Sequence, residues 1–210
     1  MLRRFLLGIM VVSLASLAWA GVPDLNLSTA TIPAGAAGAS VFTLPNGGGV
    51  GFDAAFAAGA VVVDATITLT LIDTNGDPIF QYPFEDMWLE TSADGLTYCA
   101  NGTAADASTD INGITHWTNP VLGGGYSIGE TVNVYIAGSP LAGGGLNLTF
   151  NSADINGDLS VNLSDIAAFT QVLGGNYVNN PKYAGDFNND NVINLSDIVR
   201  MTAGIGTHCN

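Results

Sequence analysis

Two twelve-residue segments near the end of the chain limit its fold more tightly than anything else in the sequence. In D-I-N-G-D-L-S-V-N-L-S-D, Asp154, Asn156, Asp158, Ser160, Asn162 and Asp165 occupy positions 1, 3, 5, 7, 9 and 12. In D-F-N-N-D-N-V-I-N-L-S-D, 32 residues further on, Asp186, Asn188, Asp190, Val192, Asn194 and Asp197 do the same. Calcium takes roughly six to eight hard oxygen ligands at about 2.3–2.6 Å, and a loop supplies them from side chains at alternate positions, a carbonyl at position 7 and a carboxylate at position 12. Ser160 and Val192 would give that carbonyl. All six acidic residues after Asn151 stand at positions 1, 5 or 12. The chain also holds a control: Asp73-Thr74-Asn75-Gly76-Asp77 begins alike but places Pro78, Gln81 and Phe84 at positions 6, 9 and 12. That segment reads as a hairpin turn without a metal, whereas the two C-terminal loops are expected to hold one Ca2+ each.

An apolar-periodic run follows each loop from position 12. Asp165 to Leu173 would bury Ile166, Phe169 and Val172 or Leu173 on one helical face and stop at Gly174-Gly175; Asp197 to Ala203 would bury Ile198 and Met201 and stop at Gly204. Asn162 and Asn194 are placed to cap these helices, with Asp165 and Asp197 near the positive helix end. Leu159 and Asn191 stand at position 6, where a positive φ favours glycine, and Asn tolerates it better than Leu. The first loop is therefore expected to be the weaker.

Paired loop–helix units without the incoming helix of a full EF-hand resemble dockerin domains, the calcium-dependent modules that plug extracellular proteins into cohesin-bearing partners. The resemblance spans about Ala153 to Gly206. It implies a cohesin-like partner read through positions 10 and 11, here Leu163-Ser164 and Leu195-Ser196, identical in both repeats. Such a near two-fold surface would offer two equivalent binding faces. The basic residues that many cellulosomal dockerins carry on their helices are reduced here to Arg200.

At the other end, Arg3-Arg4, an uncharged apolar run and Ala18-Trp19-Ala20 read as a secretory signal peptide over residues 1–20. No later stretch is long and apolar enough for a membrane span of about 20 residues, so a location outside the cytoplasm, secreted or at the cell surface, is expected. Without the leader, Lys182 and Arg200 are the only fixed cations against 18 carboxylates. Nucleic acid is therefore a poor partner. Cys99 and Cys209 are the only cysteines. An oxidising compartment permits a disulfide between them, but one buried cysteine and one terminal thiol fit the spacing equally well.

Residues 21–150 carry short Val/Ile/Thr/Leu runs between Gly, Pro, Asn and Asp clusters, the pattern of a β-sandwich. Strands are predicted at Ser40–Leu44, Ala65–Ile72, Ile79–Tyr82, Met87–Glu90, Thr115–Trp117, Thr131–Ile136 and Leu146–Phe150. The stretch ATITLTLIDTNGDPIFQYPF reads as a strand, a turn and a return strand. With Thr109 to Thr115, it resembles bacterial immunoglobulin-like domains of the invasin or big-repeat type and carboxypeptidase-regulatory-like modules. That resemblance covers Val61 to Ala137 and implies a spacer or presenting scaffold. The fold class expected is mainly β: an immunoglobulin-like sandwich at 21–150 followed by a small helical calcium module at 151–207. Only three residues separate the last strand from the first loop, too few for a flexible linker, so the two should pack together.

Three functions fit this layout. The first is a non-catalytic attachment protein, in polysaccharide-degrading or cell-surface assemblies, whose calcium module docks to a cohesin-type partner. In the second the module only braces the sandwich. The third is a carbohydrate-binding or carbohydrate-active extracellular protein, with Trp88, Trp117 or Tyr126 as the contact unless these are core residues. Catalysis is not expected: Glu85, Asp86, Glu90 and Glu130 are unpaired, whereas glycosidases need two carboxyl groups at a set separation. His116 and His208 have no nucleophile motif beside them.

Overall fold

The computed structural model describes residues 21–210; the leader read at residues 1–20 lies outside them. The strands in chain order are β1 (Thr29–Thr31), β2 (Ala39–Thr43), β3 (Ala55–Ala57), β4 (Val61–Val63), β5 (Ile67–Thr70) and β6 (Met87–Thr91). They continue with β7 (Leu96–Tyr98), β8 (Ile114–Trp117), β9 (Gly123–Gly125), β10 (Val132–Ile136), β11 (Ser139–Pro140) and β12 (Leu148–Ser152). Two helices follow, α1 (Leu163–Leu173) and α2 (Leu195–Gly204). The protein is thus mainly β with a helical C-terminal module. None of its described helices is long and apolar enough to cross a membrane.

Sheets of order β1-β5-β8, β11-β10-β6 and β12-β2-β3-β4 surround one apolar core, with β7 and β9 forming a separate ribbon. Strands β5, β6 and β10 bury alternate residues, as their period-2 sequences predict. Ile67, Leu69, Met87, Leu89, Val132 and Val134 point inward with Trp117 and Phe150.

The return strand predicted at Ile79–Tyr82 is absent. A single bridge, Ile72 to Pro78, closes the turn, within which Asp73 Oδ1 accepts the N–H groups of Asn75 at 2.8 Å and Asp77 at 3.0 Å. Pro78 has no N–H with which to extend a ladder, and Gln81 turns the chain away at φ 56°. Strand β5 instead pairs with β1 and β8.

The sheet β12-β2-β3-β4 explains how the module attaches. Every residue of β2 is buried, because successive side chains leave opposite faces of a strand and both faces are covered. Ala39 and Val41 join the sandwich core, while Phe42 and the following Leu44 join a second core. Strand β3 divides in the same way, Ala55 to the first core and Phe56 to the second. The second core is completed from the C-terminal module by Ala153, Ile155, Val161, Phe169, Val172, Phe187 and Met201. Phe187 lies 5.3 Å from Phe42 and 5.5 Å from Phe169, centroid to centroid. The close packing expected from the short junction is present, and β12 runs to Ser152, so the boundary drawn after Phe150 falls inside a strand.

Cys99 and Cys209 form a disulfide, their Cα atoms 5.7 Å apart. The second alternative, a buried cysteine with a terminal thiol, is thereby excluded. The bridge ties the end of the chain to the segment just after β7.

Candidate metal centre

Each loop is built by hydrogen bonds that fold its backbone around the position-1 carboxylate. Asp154 accepts the N–H of Asp158 at 3.2 Å and of Leu159 at 2.8 Å. Asp186 accepts those of Asp190 at 3.1 Å and Asn191 at 2.7 Å. The position-12 carboxylates close the loops: Asp165 accepts from Asn156 and Asn162, and Asp197 from Phe187 and Asn194. The two loops also share their left-handed residues, Gly157 and Asn189 at position 4, Leu159 (φ 66°) and Asn191 (φ 63°) at position 6. The positive φ expected at position 6 is therefore real, and in the first loop a leucine bears it.

Asn162 and Asn194 act as the helix caps predicted. Asn162 Oδ1 accepts the Ser164 N–H at 2.9 Å, and Asn194 Oδ1 that of Ser196 at 2.8 Å. With the reciprocal bonds from Asp165 and Asp197 these are capping boxes. For that reason α1 and α2 start at Leu163 and Leu195, two residues before the starts expected at Asp165 and Asp197. The caps turn their oxygens to the helices and their amide nitrogens toward the loops, where Asn162 Nδ2 donates to the Ser160 carbonyl at 3.0 Å. Gly204, expected to end the second helix, is its last residue. A Cβ there would lie 2.8 Å from Ala153 and 2.9 Å from Leu44, so its lack of a side chain serves packing.

The first loop brings one carboxylate oxygen each from Asp154, Asp158 and Asp165 within 4.8 Å of one another, the one such acidic group among the described residues. Asp154 and Asp165 are fully buried. Burial, reinforced by the Asp165 and Asp158 charges, pushes Asp154 up to about 6. In the second loop burial raises Asp186 and Asp197 as well, opposed by backbone N–H groups at each. Buried carboxylates facing one another at this range destabilise the charged forms unless a cation joins them. The donors are hard oxygens of the kind calcium selects, so the residues fit the ion. Asp154, Asp158, Asp165 and the Ser160 carbonyl would hold it in the first loop, Asp186, Asp190, Asp197 and the Val192 carbonyl in the second, with Asn156 and Asn188 at position 3; Asn162 and Asn194, expected as position-9 ligands, instead turn their Oδ1 atoms to the helices as caps.

The expected contact residues stand at positions 10 and 11 of these loops. Leu163 is 78% and Leu195 71% exposed. Ser164 is exposed, while Ser196 is half-buried. Both hydroxyls accept from the position-3 asparagine, Asn156 Nδ2 to Ser164 Oγ at 3.0 Å and Asn188 Nδ2 to Ser196 Oγ at 2.9 Å. Each Leu-Ser pair is therefore fastened to the interior of its calcium loop.

Several contributors carry no signal in the loop sequence. Gly124 of β9 presses on the first loop so closely that a Cβ would lie 1.9 Å from Asp154 Oδ2. Thr97 Oγ1 donates to the Gly157 carbonyl at 3.0 Å, and Gly125 N–H to that of Asp154 at 2.7 Å. In the second loop, Asn189 Nδ2 donates to the Phe56 carbonyl at 3.0 Å, and Asn151 Nδ2 to that of Asp186 at 2.6 Å.

A family model for the dockerin type I domain matches residues 152–205. No curated protein matches the chain. Among solved structures, the crystal structure of the Lin-41 filamin domain aligns with 61% of this chain and 95% of its own, at 14% identity and a TM-score of 0.31.

Proposed function

We propose, from the match of residues 152–205 to the dockerin type I domain, that the protein is a secreted, non-catalytic attachment factor whose two calcium-filled loops present Leu163-Ser164 and Leu195-Ser196 to a cohesin-type partner. The β domain is the scaffold that carries the module. The observation that carries this reading is the bond from each position-3 asparagine to the serine of its Leu-Ser pair. A cation that orders Asn156 and Asn188 thereby orders the contact surface. The scattered carboxylates serve the scaffold: Glu90 accepts from Trp88 and Tyr98, and Glu130 from the Ala93 and Gly95 N–H groups. Binding of the protein to immobilised cohesin domains should occur in calcium and vanish in chelator and in Asp154→Ala/Asp186→Ala. A partner held equally well in chelator would contradict the proposal.

A bracing role for the module is also supported, by the second core. Removing residues 153–210 would uncover Phe42, Leu44 and Phe56, and the truncated β domain should melt lower than the whole protein. An unchanged melting temperature would leave docking as the module's sole role. For carbohydrate, Trp88 is the contact we favour. Trp117 is buried with its indole N–H on the Thr103 carbonyl, and Tyr126 packs edge-on against Tyr183. Trp88 remains, half-buried and stacked on Tyr135 at 5.7 Å. If this pair binds sugar, Trp88→Ala should abolish retardation of the protein in polysaccharide gels.

A further inference from the structure

The first calcium loop is enclosed on two sides by parts of the chain outside the loop–helix repeats. On one side lies the β7–β9 ribbon. Gly124 leaves no space between its backbone and the Asp154 carboxylate, Gly125 N–H donates to the Asp154 carbonyl, and Thr97 donates to the carbonyl of Gly157 at position 4. On the other side the C-terminal tail runs antiparallel to positions 6 to 8 of the loop. Val161 N–H donates to the Thr207 carbonyl at 2.9 Å, Gly206 N–H to the Val161 carbonyl at 2.9 Å, and Cys209 N–H to the Leu159 carbonyl at 3.4 Å, with a bridge between Ser160 and His208. The tail holds in place the segment that contains the position-7 carbonyl and the left-handed Leu159.

The disulfide joins these two sides. Cys209 lies in the tail beside the bridged His208, and Cys99 follows directly on β7. The second loop is also braced at positions 1 and 4, by Asn151 on the Asp186 carbonyl and by Gly59 and Phe56 on Asn189, but neither the tail nor the disulfide reaches it: its position-6 Asn191 is held by Lys182, whose Nζ donates to its carbonyl and to its Oδ1 at 3.1 Å.

We propose that the first calcium site is a composite, completed by the β7–β9 ribbon and by the C-terminal tail that the Cys99–Cys209 disulfide closes over it, so that its affinity depends on the disulfide while that of the second site does not. This rests on the calcium reading above. A non-glycine residue at positive φ persists only where its surroundings enforce it; here the tail holds Leu159 through its carbonyl, while the ribbon holds Asp154 and Gly157. Opening the disulfide frees the tail, lets the loop relax, and leaves the ligands less preorganised. The biochemical consequence is a calcium site that matures only after export to an oxidising compartment.

The test is calcium calorimetry on the full protein in two backgrounds, Asp186→Ala/Asp190→Ala to isolate the first loop and Asp154→Ala/Asp158→Ala to isolate the second. In each, the disulfide is intact, reduced, or removed by Cys99→Ser/Cys209→Ser. Loss of groups that orient metal ligands typically weakens binding by about 10-fold or more. That loss is expected in the first loop alone, with second-loop binding unchanged and so reporting a folded module. Gly124→Ala, with the disulfide intact, should weaken the same loop selectively. Unchanged first-loop affinity without the disulfide, or equal weakening of both loops, would overturn the proposal. Absence of calcium binding to either loop of the intact protein would remove the calcium reading itself.

Discussion

Arg200 of α2 holds its guanidinium 4.5 Å above the ring of Phe56 in β3, and 5.7 Å from that of Phe42 in β2. The one basic residue left on the two helices is thus turned onto the protein's own β domain. Desolvation lowers its pKa, but an arginine remains charged there. Cation–aromatic contacts contribute about 0.5–2 kcal/mol, more as they become dry. Arg200→Ala should lower the unfolding free energy by about 1–2 kcal/mol in urea titrations, while leaving cohesin binding intact. The corresponding residue of the first repeat is Ala168, so the sequence equivalence of the two faces does not extend to this contact.

Phe187, at position 2 of the second loop, is fully buried between Phe42 and Phe169. Truncating such a side chain costs about 3–5 kcal/mol through lost transfer energy and the cavity left behind. Phe187→Ala should show that loss in calcium-saturated chemical denaturation. A change below about 0.5 kcal/mol, the scale of a surface substitution, would mean that the second core does not bind the module to the sheet.

The disulfide closes a loop with a sequence separation of 110 residues. Loop-closure entropy places its contribution near 4–5 kcal/mol. Reductant should therefore lower the melting temperature of the calcium-free protein. Cys99→Ser/Cys209→Ser should melt at the reduced value and be insensitive to reductant.

Acid should act in opposite directions with and without calcium. Asp154 titrates near 6 in the fold, above an unfolded aspartate near 3.9. The folded calcium-free form therefore binds the proton more tightly than the unfolded chain does. The resulting stability is full below about pH 4 and is lost as pH rises through about 6. Asp186 and Asp197, also raised, add in the same direction. Calcium must displace these protons, so its affinity should fall as pH drops through about 6. Melting curves from pH 4 to 8, with calcium and with chelator, check both signs.

The acidic cluster of Asp154, Asp158 and Asp165 was legible because a metal-type loop spacing fixes carboxylates to particular positions, and that constraint is local in sequence. Strands such as β6 and β10 were legible for a similar reason, since one buried face imposes a period of two. The helix starts were misplaced by two residues because the asparagine caps draw Leu163-Ser164 and Leu195-Ser196 into the first turn. Strand β9 consists of Gly123, Gly124 and Gly125 and has no side chains to signal a strand; its conformation comes from pairing with β7 and from lying against Asp154. The two-sided burial of β2 was hidden too. Ser40 and Thr43 interrupt its apolar residues, so the sequence of β2 shows neither that both faces are covered nor what covers them. The Cys99–Cys209 bridge depends on a distance in space that sequence spacing does not encode.

The most direct measurement is the calcium stoichiometry of the disulfide-intact protein at neutral pH, followed by calorimetry and compared with Asp154→Ala and Asp186→Ala. Two ions should bind the unaltered protein and one should bind each variant. Fewer than two ions on the unaltered protein, or two retained after either substitution, would contradict the assignment of one ion to each loop.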